Sequence, residues 1–222
     1  MTILVLGASG SAGGCVLREC LASPRVSVVR AITRRALGFG NPKLTVAMHG
    51  DYANFAAVED QFAGVDACFY CLGKSVRQVS GEAEYRRITH DFALAAAQTL
   101  RAKSPSAVFH FISGEGASLT SRFMWARVKA ETERDLAPLA AVCWRPGLID
   151  GMASPSQPAI YTVMRPLGRI FFSRSRRWYV TGGEIGRAMI AAATEGIRGR
   201  TFENAAIRDV AAHSLEAFHA SH

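Results

Sequence analysis

Continuous apolar runs alternate along the chain with stretches in which apolar residues recur every three or four positions, a rhythm that predicts strands separated by helices. Residues 3–6 (Ile-Leu-Val-Leu) are the first such run and stop at Gly7, as a parallel strand buried on both faces does. Val16 with Cys20, and Leu17 with Leu21, then repeat at four residues, which predicts a helix ended by Ser23-Pro24. Further strands are predicted at 26–32, 44–48, 65–71, 107–112 and 141–144, with helices over 83–102 and 120–136. Arg145-Pro146-Gly147 breaks the sixth strand. From Ser154 the rhythm loosens into a Pro/Ser-rich connection, a basic and apolar stretch over 161–178, a helix near 184–193 and a short strand around 201–202.

This order of elements predicts one α/β domain over residues 1–222, a doubly wound parallel sheet of the Rossmann type with strand order 3-2-1-4-5-6. Residues 154–222 are expected to supply a small substrate-facing lid and the last elements. A ligand then belongs across the carboxyl ends of strands one and four.

Composition narrows the class little. Hydrophobic residues make up 49% and charged residues 20% of the 222 positions, values of a globular protein and not a disordered one. The net charge of +8 favours anionic ligands. The basic residues are spread along the chain without an aromatic RNA motif or zinc-finger spacing, so nucleic acid is not expected as a partner. Five cysteines cannot all pair, and Cys68-Phe69-Tyr70-Cys71 lies in an apolar strand that points its two thiols to opposite faces, so neither disulfides nor a metal site is expected. With no basic leader, and no apolar run long enough to span a bilayer, a cytoplasmic location away from membranes is expected.

The chemistry starts at Gly7-Ala8-Ser9-Gly10-Ser11-Ala12-Gly13. Glycines between a first buried strand and a helix let the backbone approach a pyrophosphate, while the free N–H groups and dipole of the helix N-terminus stabilise the anion. Gly7, Ser9, Gly10, Ser11, Ala12 and Gly13 are therefore cofactor-binding candidates. Dinucleotide folds choosing NAD carry a carboxylate at the end of strand two, whereas Ile32-Thr33-Arg34-Arg35 offers two guanidinium groups, which points to the 2′-phosphate of NADP(H). By topology, Asp51 after strand three is expected near the adenine, and Cys71, Leu72 and Gly73 beside the ribose and nicotinamide. Asp51 is equally suited to capping the segment after it.

With these features the sequence resembles the atypical short-chain dehydrogenase/reductases, and within them the Tat-interacting oxidoreductase-like group. The likeness runs through the glycine turn, Arg34-Arg35, Cys71-Leu72-Gly73-Lys74, Phe111-Ile112-Ser113, Val128-Lys129-Ala130-Glu131, Trp144-Arg145-Pro146-Gly147-Leu148, residues 183–189 and residues 201–204. The resemblance implies that Lys129 holds the nicotinamide ribose, that Ser113 assists at the reacting carbonyl, and that Pro146, Gly147 and Leu148 lie along the cofactor. The family's catalytic tyrosine falls at Trp125, and its asparagine on the preceding helix falls at Thr89. An indole N–H only donates and cannot replace a phenol as general acid.

Tyr85 and Tyr161 are further candidates to reach the site. His90 reads as a surface helix residue, and Arg165, Arg169, Arg174, Arg176 and Arg177 as a solvated basic face or an anionic-substrate lid. Three functions follow: an NADP(H)-dependent oxidoreductase of a small acceptor such as a quinone or flavin; an NADP(H)-binding regulator acting through a protein partner without turnover; and a sugar epimerase or dehydratase. Substrate and partner are not readable, and a protein partner and a homodimer are both open.

Overall fold

Alternation of side chains in β1 (Thr2–Leu6) decides the layering. Ile3 and Val5 enter one buried cluster while Leu4 and Leu6 enter a second, so the strand needs cover on both faces. The computed structural model describes residues 1–150 and 179–219. In it β1 is followed by α1 (Ser11–Ala22), β2 (Val28–Thr33), β3 (Leu44–Met48) and β4 (Ala67–Tyr70). Then come α2 (Glu82–Arg86), α3 (Phe92–Lys103), β5 (Val108–Ile112), α4 (Met124–Leu136) and β6 (Val142–Arg145). The remaining elements are β7 (Leu148–Asp150), β8 (Tyr179–Thr181), α5 (Gly182–Thr194), β9 (Thr201–Glu203) and α6 (Asn204–His219).

The sheet runs β3-β2-β1-β4-β5-β6-β9 with every pairing parallel, which bears out the doubly wound fold and its six-strand order and adds β9 as a seventh strand beside β6. Val16 and Leu17 of α1, Ile185 and Met189 of α5, and Ile207 of α6 cover one face. Ala93, Ala96 and Leu100 of α3, with Leu136 of α4, cover the other. Residues 179–219 thus extend the sheet and its cover. β7 and β8 form a separate two-stranded parallel pair after β6. Residues 154–178, where most of the lid is expected, lie outside the described residues, and with them Tyr161 and the five arginines from Arg165 to Arg177.

All five cysteines are buried, and none is in a disulfide. Cys68 faces one cluster and Cys71 the other. Burial pushes the Cys20, Cys68 and Cys71 thiols far up, and that of Cys143 up to about 12, so none carries thiolate at neutral pH.

The long helix predicted over 83–102 is α2 and α3 joined by a π-helical turn at Arg87–Asp91. The turn leaves the Ile88 carbonyl available to the buried Tyr70 hydroxyl, which donates to it at 2.9 Å. This helix lies beside α4 in a constant register. Glu82 pairs with Arg127 at 3.0 Å, Arg86 with Glu131, and His90 with Asp135 at 2.8 Å, each partner 45 residues further on. His90 is accordingly not a surface residue. It is 6% exposed, with Nδ1 at 2.7 Å from Asp91 and Nε2 on Asp135.

Candidate functional site

The glycine turn is shaped by what it must pass. Gly7 has φ +85°, and a Cβ there would lie 2.8 Å from the backbone of Cys71 and Leu72, so strand-end loops one and four touch main chain to main chain. A Cβ on Gly13 would lie 2.1 Å from the Gly7 carbonyl oxygen, which fixes glycine at the start of α1. Gly10 is the N-cap and carries no capping side chain, and the first turn holds no acidic residue. The N-terminal N–H groups of α1 are left facing an open cleft of about 1200 Å³.

Ser9, Gly10, Ser11, Arg34 and Arg35 line this cleft, as do Arg18, Phe39, Gly73 and Lys74. Gly7 and Gly13 are buried beneath it, and Ala12 is packed against the core. Arg34 and Arg35 are exposed, and the buried Thr33 hydroxyl donates to the Arg35 carbonyl at 2.7 Å, holding the bend that turns both toward the cleft. Among the described lining residues there is no carboxylate.

A smaller pocket of about 250 Å³ continues from it, lined by Arg34, Gly50, Tyr52, Leu72, Arg87 and Phe92 among others. Asp51 is not among its lining residues. Its carboxylate accepts the Ala53 N–H at 3.0 Å, and Tyr52, one position further, stands at the pocket. Cys71 lies in the core under Gly13, while Leu72 and Gly73 line the pocket. Arg18 and Tyr52 escaped the sequence reading because neither belongs to a motif; only the lean of α1 and the course of the loop after β3 bring them to the cleft.

Further along the same carboxyl edge of the sheet, Ser113 follows β5 and donates its N–H to the Trp144 carbonyl at 2.7 Å. Its hydroxyl is buried without a protein partner. Lys129 donates to the Ile112 carbonyl at 2.6 Å, with Nζ 4.7 Å from the centre of the Phe111 ring. Desolvation pushes the Lys129 ammonium down to about 8, against the opposing attraction of the Glu133 carboxylate. Trp125, one turn before Lys129, lies on the loop after β5: its ring is 3.4 Å from the place of a Gly114 Cβ and 4.0 Å from that of Gly116. Tyr85 is buried on α2, and burial raises its phenol while Thr89 opposes.

The loop after β6 is tied down from two sides. Glu115 donates its N–H to the Pro146 carbonyl, and the Gly147 N–H donates to Asn204 Oδ1, both at 2.9 Å, while Leu148 is exposed. Arg145 anchors the strand before it, with Nε and Nη2 both on the nearly buried Glu133 at 2.9 and 2.6 Å and Nη1 on Glu203 at 2.8 Å. Arg145→Met strands the Glu133 carboxylate, and a loss of about 3 kcal/mol is expected. Urea unfolding checks it: an unchanged midpoint removes this pair from the account.

No family model matches the chain. The protein FMP52, mitochondrial, of Saccharomyces cerevisiae is 30% identical over 197 residues, covering 84% of this chain and 85% of its own. Protein HTATIP2 of Rattus norvegicus is 27% identical over 195 residues, covering 85% and 79%. Among solved structures, an oxidoreductase of the short-chain dehydrogenase/reductase family from Burkholderia thailandensis superposes with TM-score 0.69 at 17% identity, over 91% of this chain and 90% of that one. The cytoplasmic location expected above is overturned by the relatives, since the FMP52 proteins are named mitochondrial. Unpaired cysteines separate reducing from oxidising compartments and do not tell one reducing compartment from another. The chain belongs to the family of yeast FMP52, among the atypical short-chain dehydrogenase/reductases of the NAD(P)-binding Rossmann superfamily.

Proposed function

We propose that the protein is an NADP(H)-dependent oxidoreductase of a small acceptor, quinone- or flavin-like, in which Trp125 replaces the proton-donating tyrosine. The observation that carries the cofactor part is the cleft itself: a glycine cradle with no room for side chains, continuous with a wall bearing Arg34 and Arg35 and, among the described lining residues, no carboxylate. The shape and charge fit a dinucleotide with a third phosphate.

Bound there, NADPH would supply a hydride. Lys129 would hold the ribose hydroxyls, and the unpartnered Ser113 hydroxyl would meet the acceptor oxygen or the nicotinamide amide. Trp125 walls the loop after β5 and can donate but not relay a proton. Acceptors whose reduced form takes its proton from water suit such a site. The mitochondrial names of the FMP52 relatives support a mitochondrial place of action.

Two measurements test this. In fluorescence titration the wild type should prefer NADPH over NADH by about a hundredfold, the worth of two charge-assisted contacts, and Arg34→Ala/Arg35→Ala should erase the preference. Equal affinity for the two cofactors refutes the NADP(H) assignment. NADPH oxidation with a quinone panel should survive Trp125→Phe. A wild type that binds NADPH and turns over no quinone or flavin favours a cofactor-sensing regulator instead.

A further inference from the structure

Helix α1 holds one glycine more than its turn requires. Gly7 and Gly13 have no space for a side chain, but a Cβ on Gly14 meets only the Ala8 carbonyl oxygen at 3.5 Å and Arg18 Nη1 at 4.0 Å, both ordinary contacts. The bare surface at Gly14 leaves room for Arg18. Side chains on a helix lean toward its N-terminus. Arg18 follows that lean: Nη2 donates to Cys15 Sγ at 3.0 Å and Nη1 lies beside Gly14. Its guanidinium is carried back over the first turn of α1 while the residue stays exposed to solvent. There it lines the large cleft together with Ser9, Ser11, Arg34 and Arg35.

The chemistry of a phosphate monoester explains why a third arginine would be useful. Such a group carries close to two negative charges at neutral pH and three acceptor oxygens, more than one guanidinium neutralises. Arg34 and Arg35 approach from the end of β2, and Arg18 from the opposing wall formed by α1. We propose that Arg18, seated on Gly14, is a specificity-determining residue that completes a three-arginine enclosure for the 2′-phosphate of NADP(H). This rests on the NADP(H) reading above and adds to it a residue outside the strand-two motif.

The test is cofactor binding by the full-length protein, read by NADPH fluorescence and by displacement with adenosine 2′,5′-bisphosphate. Arg18→Gln should weaken both by about tenfold, leave NADH within about twofold, and leave the circular dichroism spectrum unchanged. Arg18→Lys, which keeps the charge and loses the paired donors, should fall between the two. Wild-type NADPH affinity in Arg18→Gln overturns the inference, and so does an equal loss for NADPH and NADH, which would put Arg18 on the pyrophosphate. If Arg34→Ala/Arg35→Ala loses the NADPH preference while Arg18→Gln keeps it, this inference alone fails. If the wild type has no such preference, the reading beneath it fails.

Discussion

A Gly13→Ala variant is expected to lose NADPH binding by at least about a hundredfold and to melt roughly 10 °C below the wild type. The added methyl would sit 2.1 Å from the Gly7 carbonyl oxygen and 3.1 Å from Cys71 Cβ, and neither backbone nor core can give way cheaply. Either α1 moves off the turn, withdrawing its N–H groups from the cleft, or the core opens. Overpacking of this kind costs about 3 kcal/mol. The neighbouring Gly14→Ala is the control for stability, since its methyl meets only ordinary contacts at 3.5 and 4.0 Å and removes a helix glycine, for an expected gain of about 0.5–1 kcal/mol. Opposite signs at adjacent residues on one helix separate the cradle from helix propensity. Calorimetry reads the two stabilities and NADPH titration the loss in Gly13→Ala, and equal melting shifts in the two variants would refute the cradle.

Lys129→Met should separate function from stability in opposite directions. On the proposed role, NADPH oxidation falls by at least about a hundredfold in kcat/KM. The fold gains, because the ammonium is held down to about 8 by desolvation while its unfolded counterpart stays at the usual 10.5. Below pH 8 both forms are protonated and the folded state bears the full cost of the buried charge. Between pH 8 and 10.5 the unfolded chain binds the extra proton, so wild-type stability rises relative to the variant and the difference fades. The variant should therefore be the more stable by about 2 kcal/mol at pH 7, allowing for screening at the partly exposed site, with that advantage largely gone near pH 10.5. Urea unfolding at the two pH values decides it. A destabilised variant, or a pH-independent difference, would show that the Ile112 carbonyl contact outweighs desolvation.

The strands legible in the sequence are those whose apolar run is continuous or nearly so. β1 and β4 to β6 are buried on both faces, so no register has to be inferred. Three-residue β7 and β8 are too short to show any period. The start of α5 was better marked than the reading allowed: Thr181 and Glu184 form a capping box, and that T-x-x-E spacing stands in the sequence. In the candidate site, the glycine turn and Arg34-Arg35, each marked by a motif, come together at one cleft. Loop phase carries no such mark. Asp51 and Tyr52 differ by one position, and only the path of the chain after β3 sends the ring and not the carboxylate to the pocket. His90 failed for a related reason, since a helix face looks solvated until the partner that supplies Asp135 is known.

The three rungs between the α2–α3 helix and α4 change sign once along each helix: Glu82 is followed by Arg86 on one, with His90 beyond it, and Arg127 by Glu131 and Asp135 on the other. Sliding α4 by one turn in one direction would set Glu82 against Glu131, and in the other Arg86 against Arg127. Of these settings only the observed one is free of a like-charged rung. That setting fixes how far Lys129 stands from Thr89 along the two helices, so the spacing of two candidate site residues is held by pairs along the helix–helix seam.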